Sequence, residues 1–337
     1  MRGFGLALLL ALLAIHSAAA QERPELSSVR LAVGGRSGLF YLPLTVTERL
    51  GYFKQAGLDV EIADVQAGVR ALQAVVGGSA DVATGTFDHT IQMQAKHQPV
   101  VAVVQFGRVP GLVLGVIAAK AGFYRGPQDL KGKSIGVTAP GSSTHFMAAY
   151  LMVRNGLKPD DASFIGVGVT STAVAAARRG EIDAIVTSDP MVSIMESENL
   201  IKVVADTRTA EGARAVYGGP YPAGALYATP AFIEKNPNTV QALVTAFVRS
   251  LKWIEAHSAE DVARLMPEDY ALGNPAIYVR AIAASKPMYS PDGRFSREGA
   301  ETALAVLKTF DPTVKTAAID LGKTYTEAFV DKANAGP

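Results

Sequence analysis

The stretch TAPGSSTHF, at residues 138–146, brings together side chains that could do chemistry. Two serines, a threonine and a histidine follow a Pro-Gly pair at the predicted start of a helix. A catalytic serine needs an oriented base within hydrogen-bonding reach. Ser143 and His145 are two positions apart, and residues with that spacing point away from each other on a helix. The GxSxG pattern of serine hydrolases is also absent, so we expect no catalytic residue in this stretch.

The same stretch could instead bind an anion. The first turn of a helix has free N–H groups and the positive end of the helix dipole. Hydroxyl groups of Ser142, Ser143 and Thr144 could donate to carboxylate or sulfonate oxygens, and Gly141 would allow close approach. His145 either lines this site or turns away from it. The alternative is a capped helix with no ligand.

The elements around this stretch indicate an α/β fold. Short apolar strands alternate with helices from Val29 onward, and Lys133–Val137 is the strand that precedes the opening motif. Leu39–Ala56 is predicted as one helix, closed by Gly57. After Tyr227 the chain becomes helical, with Pro or Ser near the start of each stretch. This β-α-β-α order favours mostly parallel sheets.

An internal similarity suggests two lobes built on one plan. Residues 71–87 align with 173–189 at an offset of 102, and in both copies a helix ends at glycine before Asp81 or Asp183 opens a strand. Ligands of open α/β sheets bind beyond the carboxyl ends of the strands. The candidate binding residues beyond the first strands are therefore Arg36, Ser37, Phe40, Tyr41, Gln66, Gly68, Gly85, Thr86, Phe87 and Asp88.

Some of these residues have alternative roles. Arg36 could clamp an anion or lie exposed in a loop, and Tyr41 could stack on a ligand or start a helix facing the core. His89 and His97 lack the spacing of metal ligands and are predicted on helix surfaces. We expect no metal site and no cofactor.

Composition and the first twenty residues predict an exported chain. Arg2 precedes an apolar run, Phe4–Ile15, and Ala18-Ala19-Ala20 fits a signal-peptide cleavage site before Gln21. The chain has no cysteine, which excludes thiol nucleophiles, thiolate metal sites and a lipid-modified cysteine. Lys and Arg total 32 against 31 Asp and Glu, a balance that gives no indication of nucleic-acid binding.

Five stretches in order resemble the periplasmic substrate-binding proteins of ABC importers, in the nitrate, sulfonate and taurine group. They are VRLAVGGRSGLFYLPLTVTERLGYFKQAGLDVEI (29–62), GGSADVAT (77–84), DLKGKSIGVTAPGSSTHFMAAYLMVRNGL (129–157), GEIDAIVTSDP (180–190) and TPAFIEKNPNTVQALVTAF (229–247). The resemblance extends to enzymes that make a thiamine pyrimidine, but those depend on a cysteine-rich iron site.

The resemblance implies a type II, two-lobed periplasmic-binding-protein fold with two crossing hinge strands. It predicts a signal peptide at 1–20, lobe 1 from 28–109 and 223–337, and lobe 2 from 110–222. The strands after the crossings, 111–116 and 223–229, are expected to be neighbours, with the last helices packed on lobe 1. It adds to the ligand-binding candidates Asp189, Arg108 and Tyr221, although Asp189 could instead cap the helix at Pro190.

The implied function is capture of a small organic anion, a sulfonate or carboxylate, for an ABC-type importer. The expected partners are the ligand, a permease and its ATPase, and the protein is expected to be a monomer in the periplasm. Two other classes stay open: an enzyme on the same fold, either a hydrolase or a thiamine-pyrimidine synthase, and a sensory domain that presents its ligand to a membrane receptor.

Overall fold

The structure, a computed structural model, describes residues 23–336. The predicted signal peptide at 1–20 and the cleavage site before Gln21 lie outside the described residues.

Two five-stranded sheets form the framework. The first sheet has the order β2-β1-β3-β10-β4. Its strands are β1 (Ser28–Val33), β2 (Asp59–Asp64), β3 (Val82–Thr86), β4 (Val101–Gln105) and β10 (Gly224–Ala228). The second sheet has the order β7-β6-β8-β5-β9. Its strands are β5 (Leu112–Ile117), β6 (Ser134–Val137), β7 (Ser163–Gly166), β8 (Ala184–Ser188) and β9 (Ile201–Asp206).

The two sheets share one plan. β3 pairs in parallel with β1 and antiparallel with β10, and β8 pairs in parallel with β6 and antiparallel with β5. The similarity extends to side chains: Asp81 accepts a hydrogen bond from the N–H of Arg30 at 2.8 Å, and Asp183 accepts one from the N–H of Ser134 at 2.9 Å. The predicted α/β, two-lobed fold class is confirmed. We call the layers on the first and second sheet the first and second lobe.

Helices cover both sheets. Those before the second sheet are α1 (Leu42–Arg49), α2 (Tyr52–Gln55), α3 (Gly68–Val76) and α4 (Asp88–Ala95). Those of the second lobe are α5 (Ser143–Arg154), α6 (Ser171–Arg178), α7 (Met191–Ser197) and α8 (Ala210–Tyr217). The C-terminal helices are α9 (Pro230–Lys235), α10 (Pro237–Ala256), α11 (Ala259–Leu265), α12 (Pro275–Ser285), α13 (Arg297–Phe310), α14 (Pro312–Thr316) and α15 (Ala328–Ala335).

The prediction of one continuous helix from Leu39 to Ala56 was wrong. A 3-10 turn at Leu39–Tyr41 precedes α1, and α2 is a separate turn. Gly51 lies between α1 and α2 with φ 70°, a left-handed conformation that ends a helix and that glycine adopts without strain.

The two crossing segments lie side by side. The N–H of Ala223 donates to the carbonyl of Gly107 at 2.9 Å, and the N–H of Phe106 donates to Gly224 at 2.6 Å. The strands beyond them are not neighbours, contrary to our expectation. β5 enters the second sheet between β8 and β9, whereas β10 enters the first between β3 and β4. Each crossing strand fills an antiparallel position in its own sheet. The lobe boundaries at 109/110 and 222/223 stay a prediction.

The C-terminal helices do not all pack on the first lobe alone. Helix α10 contributes Leu243, Phe247 and Leu251 to an apolar core that includes Leu31 of β1. Helix α13 packs against α4 of the first lobe and α5 of the second, and its apolar face joins a core shared by both lobes. No helix within residues 23–336 is long and apolar enough to cross a membrane.

Candidate functional site

A cleft between the lobes lies at the carboxyl ends of strands β1, β3 and β6. In this conformation the lobes leave a cavity of about 20 Å³ in the cleft, enough for about one water molecule. Both lobes and the second crossing segment line it. The lining residues are Gly34, Phe40, Tyr41, Gly68, Thr86, Asp88, His89, Pro110, Leu112, Thr138, Ser142, Ser143, Thr144, Tyr217, Tyr221, Pro222 and Ala223. Such a crevice is where α/β proteins bind small ligands.

The Asp88 carboxylate is the hub of a network that joins the two lobes. Asp88 begins helix α4 and is only 1% exposed. The hydroxyl of Thr86 donates to it at 2.7 Å, that of Ser143 at 2.9 Å, and that of Tyr221 at 3.2 Å. Since Ser143 belongs to the second lobe, the network crosses the cleft. A carboxylate in the first turn of a helix also interacts favourably with the helix dipole.

The three hydroxyl residues of the opening motif have different roles. Ser143 contacts both Asp88 and Thr86. The Ser142 hydroxyl accepts from the N–H of Val69, in the first turn of α3, at 3.4 Å. The Thr144 hydroxyl accepts from the N–H of Thr138 at 3.0 Å and so ties the end of β6 to α5. Ser142 and Ser143 therefore reach the opposite lobe, and Thr144 stabilises its own.

Replacing Thr144 by valine should destabilise the fold rather than weaken binding. The substitution keeps the shape but leaves the N–H of Thr138, a buried residue, without its acceptor. An unpaired buried donor costs about 1–3 kcal/mol, and urea unfolding should show a loss of this size. Thr309→Val, at an exposed helix position whose hydroxyl only donates to the carbonyl of Ala305, is the comparison. Equal unfolding free energies for the two variants would contradict this role of Thr144.

His89 is a cleft residue that the sequence analysis placed wrongly on a helix surface. It is 0% exposed, and neither ring nitrogen has a hydrogen-bond partner among the described residues. Its ring packs edge-on against Phe146 and Tyr227. Burial lowers the pKa of His89, against smaller opposing effects of the Asp88 charge and of the nearby Gly141 backbone. A neutral imidazole offers one donor and one acceptor, so this side chain is ready to contact a ligand.

The buried histidines predict lower stability in mild acid. The pKa of His89 is lowered from 6.5 in the folded state, as is that of the partly buried His145. The unfolded chain therefore binds more protons once the pH falls below about 6.5, and the free energy of unfolding decreases. We expect the melting temperature to fall between about pH 7.5 and about pH 5.5, less steeply in His89→Gln. His97→Gln, at an exposed position, is the control. If the melting temperature had the same pH dependence in the parent, His89→Gln and His97→Gln, this role of His89 would be refuted.

Tyrosine rings form an aromatic wall around Asp88. Tyr217 and Tyr221 stack with ring centroids 4.3 Å apart. Burial, and secondarily the charge of Asp88, raises the pKa of Tyr41, Tyr217, Tyr221 and Tyr227 well above the ordinary value. Their hydroxyls consequently stay protonated as hydrogen-bond donors. The wall offers flat apolar surface to a ligand together with donors at its rim.

Nine of the predicted binding residues line the cleft: Phe40, Tyr41, Gly68, Thr86, Asp88, Ser142, Ser143, Thr144 and Tyr221. The structure thus brings together residues that lie far apart in the sequence. Their role in binding a ligand stays a prediction.

Among the charged candidates, Asp88 lies in the cleft, but three others lie outside it. Arg36 pairs with Glu48 in α1, and its backbone N–H donates to Asp64 at 3.0 Å. Arg108 donates to the carbonyl of Pro287 at 3.0 Å. Asp189 accepts hydrogen bonds from the N–H and the hydroxyl of Ser193. This contact corresponds to the alternative role of Asp189, that of capping the helix at Pro190. None of these side chains faces the cleft in this conformation, because each has a closer partner.

The remaining candidates also lie outside the cleft. His145 accepts from the N–H of Gly141 at 3.0 Å and packs on Phe164, so it turns away. Phe87 is buried in the core, and Gly85 lies against the Tyr227 ring. Ser37, Gln66 and Gly141 belong to loops beside the cleft but do not line it, and Gly141 lies against Val69 of the opposite lobe.

Several lining residues were not among the predicted ones. Gly34, which follows β1, is one of them. Tyr217 comes from the end of α8, an element that the analysis did not assign. A glycine pair follows it at 218–219, but nothing local distinguishes this tyrosine from others in the chain. Among the described residues, the cleft lining contains no lysine or arginine, and no group of three or more acidic or histidine side chains could hold a metal ion.

Two solved structures show the fold in other proteins. A protein from Bordetella bronchiseptica RB50 has a TM-score of 0.91 at 47% sequence identity, covering 93% of this chain and 99% of its own. The alkanesulfonate-binding protein SsuA from Xanthomonas axonopodis pv. citri, bound to MOPS, has a TM-score of 0.70 at 18% identity, covering 90% of this chain and 99% of its own. At the latter identity the likeness concerns the fold alone.

Sequence comparisons give a family and two kinds of relative. The family model described as NMT1/THI5 like matches residues 41–261. YtlA of Bacillus subtilis, a candidate binding protein by its name, is 23% identical over 280 residues, 82% of this chain and 81% of its own. The 4-amino-5-hydroxymethyl-2-methylpyrimidine phosphate synthase THI13 of Saccharomyces cerevisiae is 26% identical over 223 residues, 64% of each chain.

Proposed function

We propose that this chain, which belongs to the NMT1/THI5-like family, is a solute-binding protein. It captures a small organic compound between its lobes and delivers the compound to an ABC-type importer. The observation that supports this most strongly is the cleft, to which both lobes contribute hydrogen-bonding groups that meet at Asp88. The resemblance of the five sequence stretches to ABC-importer binding proteins points the same way.

Capture would work by closure of the lobes. In this structure the lobes touch directly: the N–H of Leu39 donates to the carbonyl of Asp189 at 2.9 Å, and the N–H of Val69 donates to Ser142. The crossing segments at Gly107 and Ala223 would serve as the hinge. A ligand that contacts both walls binds the closed form better and shifts the population towards it. Closure then excludes water and strengthens the polar contacts.

For the ligand we propose an acidic group, a sulfonate or carboxylate, at the start of α5. The N-cap residue Ser142 makes no side-chain capping bond, which leaves the first N–H groups of α5 for a ligand. Helix α3 begins at Gly68, on the opposite wall, and its N-cap residue likewise makes no side-chain capping bond. Sulfonate binding by the structurally similar SsuA agrees with this choice.

The site and the partner follow from the same proposal. The closed protein would dock on a membrane permease coupled to an ATPase. We propose a periplasmic location, which rests on the apolar segment at 4–15 and on the resemblance.

A second candidate is an enzyme that makes a pyrimidine, since the yeast relative bears the name of a synthase. Two features weigh against a like-for-like reaction. The sequence has no cysteine for an iron site. Ser143 and His145 do not form a nucleophile–base pair, because the serine contacts Asp88 and the histidine accepts from Gly141.

A thermal-shift screen followed by recovery of the compound tests the proposal. The panel comprises small sulfonates, carboxylates and pyrimidines, each with and without an amino group. We expect one compound to raise the melting temperature with increasing concentration and to be recovered unchanged by mass spectrometry. Conversion of the compound would favour the enzyme, and a panel without any stabilising member would contradict solute capture.

A further inference from the structure

Asp88 places a negative group in the middle of the cleft without a cationic partner there. The described residues that line the cleft include neither lysine nor arginine, and the partners of Asp88 are the hydroxyls of Thr86, Ser143 and Tyr221. A buried carboxylate is ordinarily paired with a cation or fully hydrogen-bonded. A carboxylate has about four acceptor positions, so three hydroxyl donors leave one position free.

The opposite lobe supplies one of these donors only while the cleft is closed. The Ser143 hydroxyl belongs to α5 of the second lobe and lies 2.9 Å from Asp88. When the lobes separate, this donor leaves, and Asp88 is left with more free acceptor positions facing the entering solute. A ligand that donates a hydrogen bond to Asp88 would therefore replace the Ser143 hydrogen bond that is lost when the lobes separate.

His89, the residue after Asp88, is a second buried polar side chain of the cleft with capacity for a hydrogen bond to a ligand. Its imidazole is 0% exposed and lines the same cleft, and among residues 23–336 neither nitrogen makes a hydrogen bond of good geometry, the backbone of Gly141 being its nearest polar neighbour of note. Buried polar atoms without a partner are rare in folded proteins. Asp88 and His89 together present an acceptor and a neutral donor–acceptor ring to one region of the cleft, which suits a nitrogen-bearing ligand group.

A ligand that is only an anion fits this region poorly. An acidic group held by Ser143 at the start of α5 would lie within a few ångströms of the Asp88 carboxylate. Like charges repel at that distance, and the low-dielectric cleft screens them weakly. A positive or donor group on the ligand, placed between the two, removes the conflict.

We infer that the ligand carries an amino group, and that Asp88 selects it by accepting hydrogen bonds from its nitrogen. This inference rests on the proposed function and narrows its ligand class to amino-bearing organic acids. The stacked Tyr217 and Tyr221 rings flank the same carboxylate and would contact the ligand's carbon skeleton. Asp88 is then a specificity-determining residue of the cleft.

Matched pairs of compounds test this inference by titration calorimetry on the purified protein. Each pair exchanges an amino group for a methyl group of similar size. The pairs are 3-aminopropanesulfonate with butanesulfonate, 4-aminobutyrate with pentanoate, and 4-aminopyrimidine with 4-methylpyrimidine. We expect the amino member of at least one acidic pair to bind at least about tenfold more tightly, the effect of one charged hydrogen bond.

The variant Asp88→Asn should abolish this preference, because its amide no longer attracts a positive nitrogen. Asp160→Asn, which removes an exposed carboxylate of the second lobe, should keep it. If Asp88→Asn proves too unstable to purify, the comparison within pairs on the parent protein decides alone.

The outcomes separate this inference from the proposed function. Methyl members that bind as tightly as their amino partners would overturn the amino-group inference while leaving solute capture standing. An amino preference that survives Asp88→Asn would overturn the role of Asp88. Preference confined to the pyrimidine pair would overturn the acidic ligand class. Absence of binding by all six compounds would overturn the amino-group inference, whereas solute capture is decided by the wider thermal-shift screen.

Discussion

Replacing Ser143 by tryptophan is expected to weaken solute binding by at least about 100-fold, or about 2.7 kcal/mol, while the chain stays folded. Ser143 opens α5, and its hydroxyl contacts Thr86 and Asp88 on the opposite wall. An indole at this position would occupy the cleft and hold the lobes apart, so that a ligand could not contact both walls. Calorimetry with the most stabilising compound of the screen measures the loss.

Ser171→Trp is the matched control for this variant. Ser171 also begins a helix of the second lobe, α6, but it is exposed and lies outside the cleft. It should bind like the parent protein. Binding by Ser143→Trp at the parent's affinity would show that the solute binds elsewhere.

Replacing Gly34 by alanine is expected to destabilise the fold by about 3 kcal/mol or more, at the upper end of the usual cost of overpacking. A Cβ at this position would lie 2.2 Å from the backbone nitrogen of Gly68 and 2.5 Å from the carbonyl carbon of Ala67. These are backbone atoms, which cannot rotate away as a side chain does. The start of α3 would have to move away from the end of β1, and that movement would distort the cleft wall.

Urea unfolding of Gly34→Ala measures this cost, with Gly122→Ala as the control. A Cβ at Gly122 would meet no atom within 4 Å, so this variant should unfold like the parent. A Gly34→Ala protein of unchanged stability would mean that β1 and α3 are not packed as the structure shows.

Local signals predicted most of the helices and strands. The helical character expected after Tyr227, with Pro or Ser near the start of each stretch, agrees with α10 and α11. Helix α10 starts at Pro237 and α11 at a serine cap, Ser258, whose hydroxyl accepts from the N–H of Asp261. Such signals lie within the helix itself, so they can be read without knowing what the helix packs against.

His89 could not be placed from the sequence because α4 is covered on several sides. Its residues DHTIQMQA are largely polar, a composition typical of an exposed helix. In the structure α4 packs against β3, α13 and α14, and seven of its eight residues are buried. Helices α13 and α14 follow about 200 residues further along the chain, so the sequence near His89 does not predict that they cover it.

The three charged candidates outside the cleft, Arg36, Arg108 and Asp189, could not be placed for a related reason. Position beyond a strand brings a residue near the crevice, but the direction of its side chain depends on competing partners. Arg36 forms an ion pair with Glu48. Asp189 accepts a hydrogen bond from Ser193 and forms an ion pair with Arg208. In the part of the second lobe that the structure describes, the Ser143 side chain has no such partner, and its hydroxyl reaches across the cleft to Asp88.

The central claim is that the two lobes close on a solute, and a distance measured across the cleft tests it most directly. Because the chain has no cysteine, Gln73→Cys in α3 and Ser171→Cys in α6 place unique spin labels at exposed sites, one on each lobe. Double electron–electron resonance with the most stabilising compound of the screen should show a shorter and narrower distance distribution at saturation. An unchanged distribution in the presence of bound compound would contradict the claim.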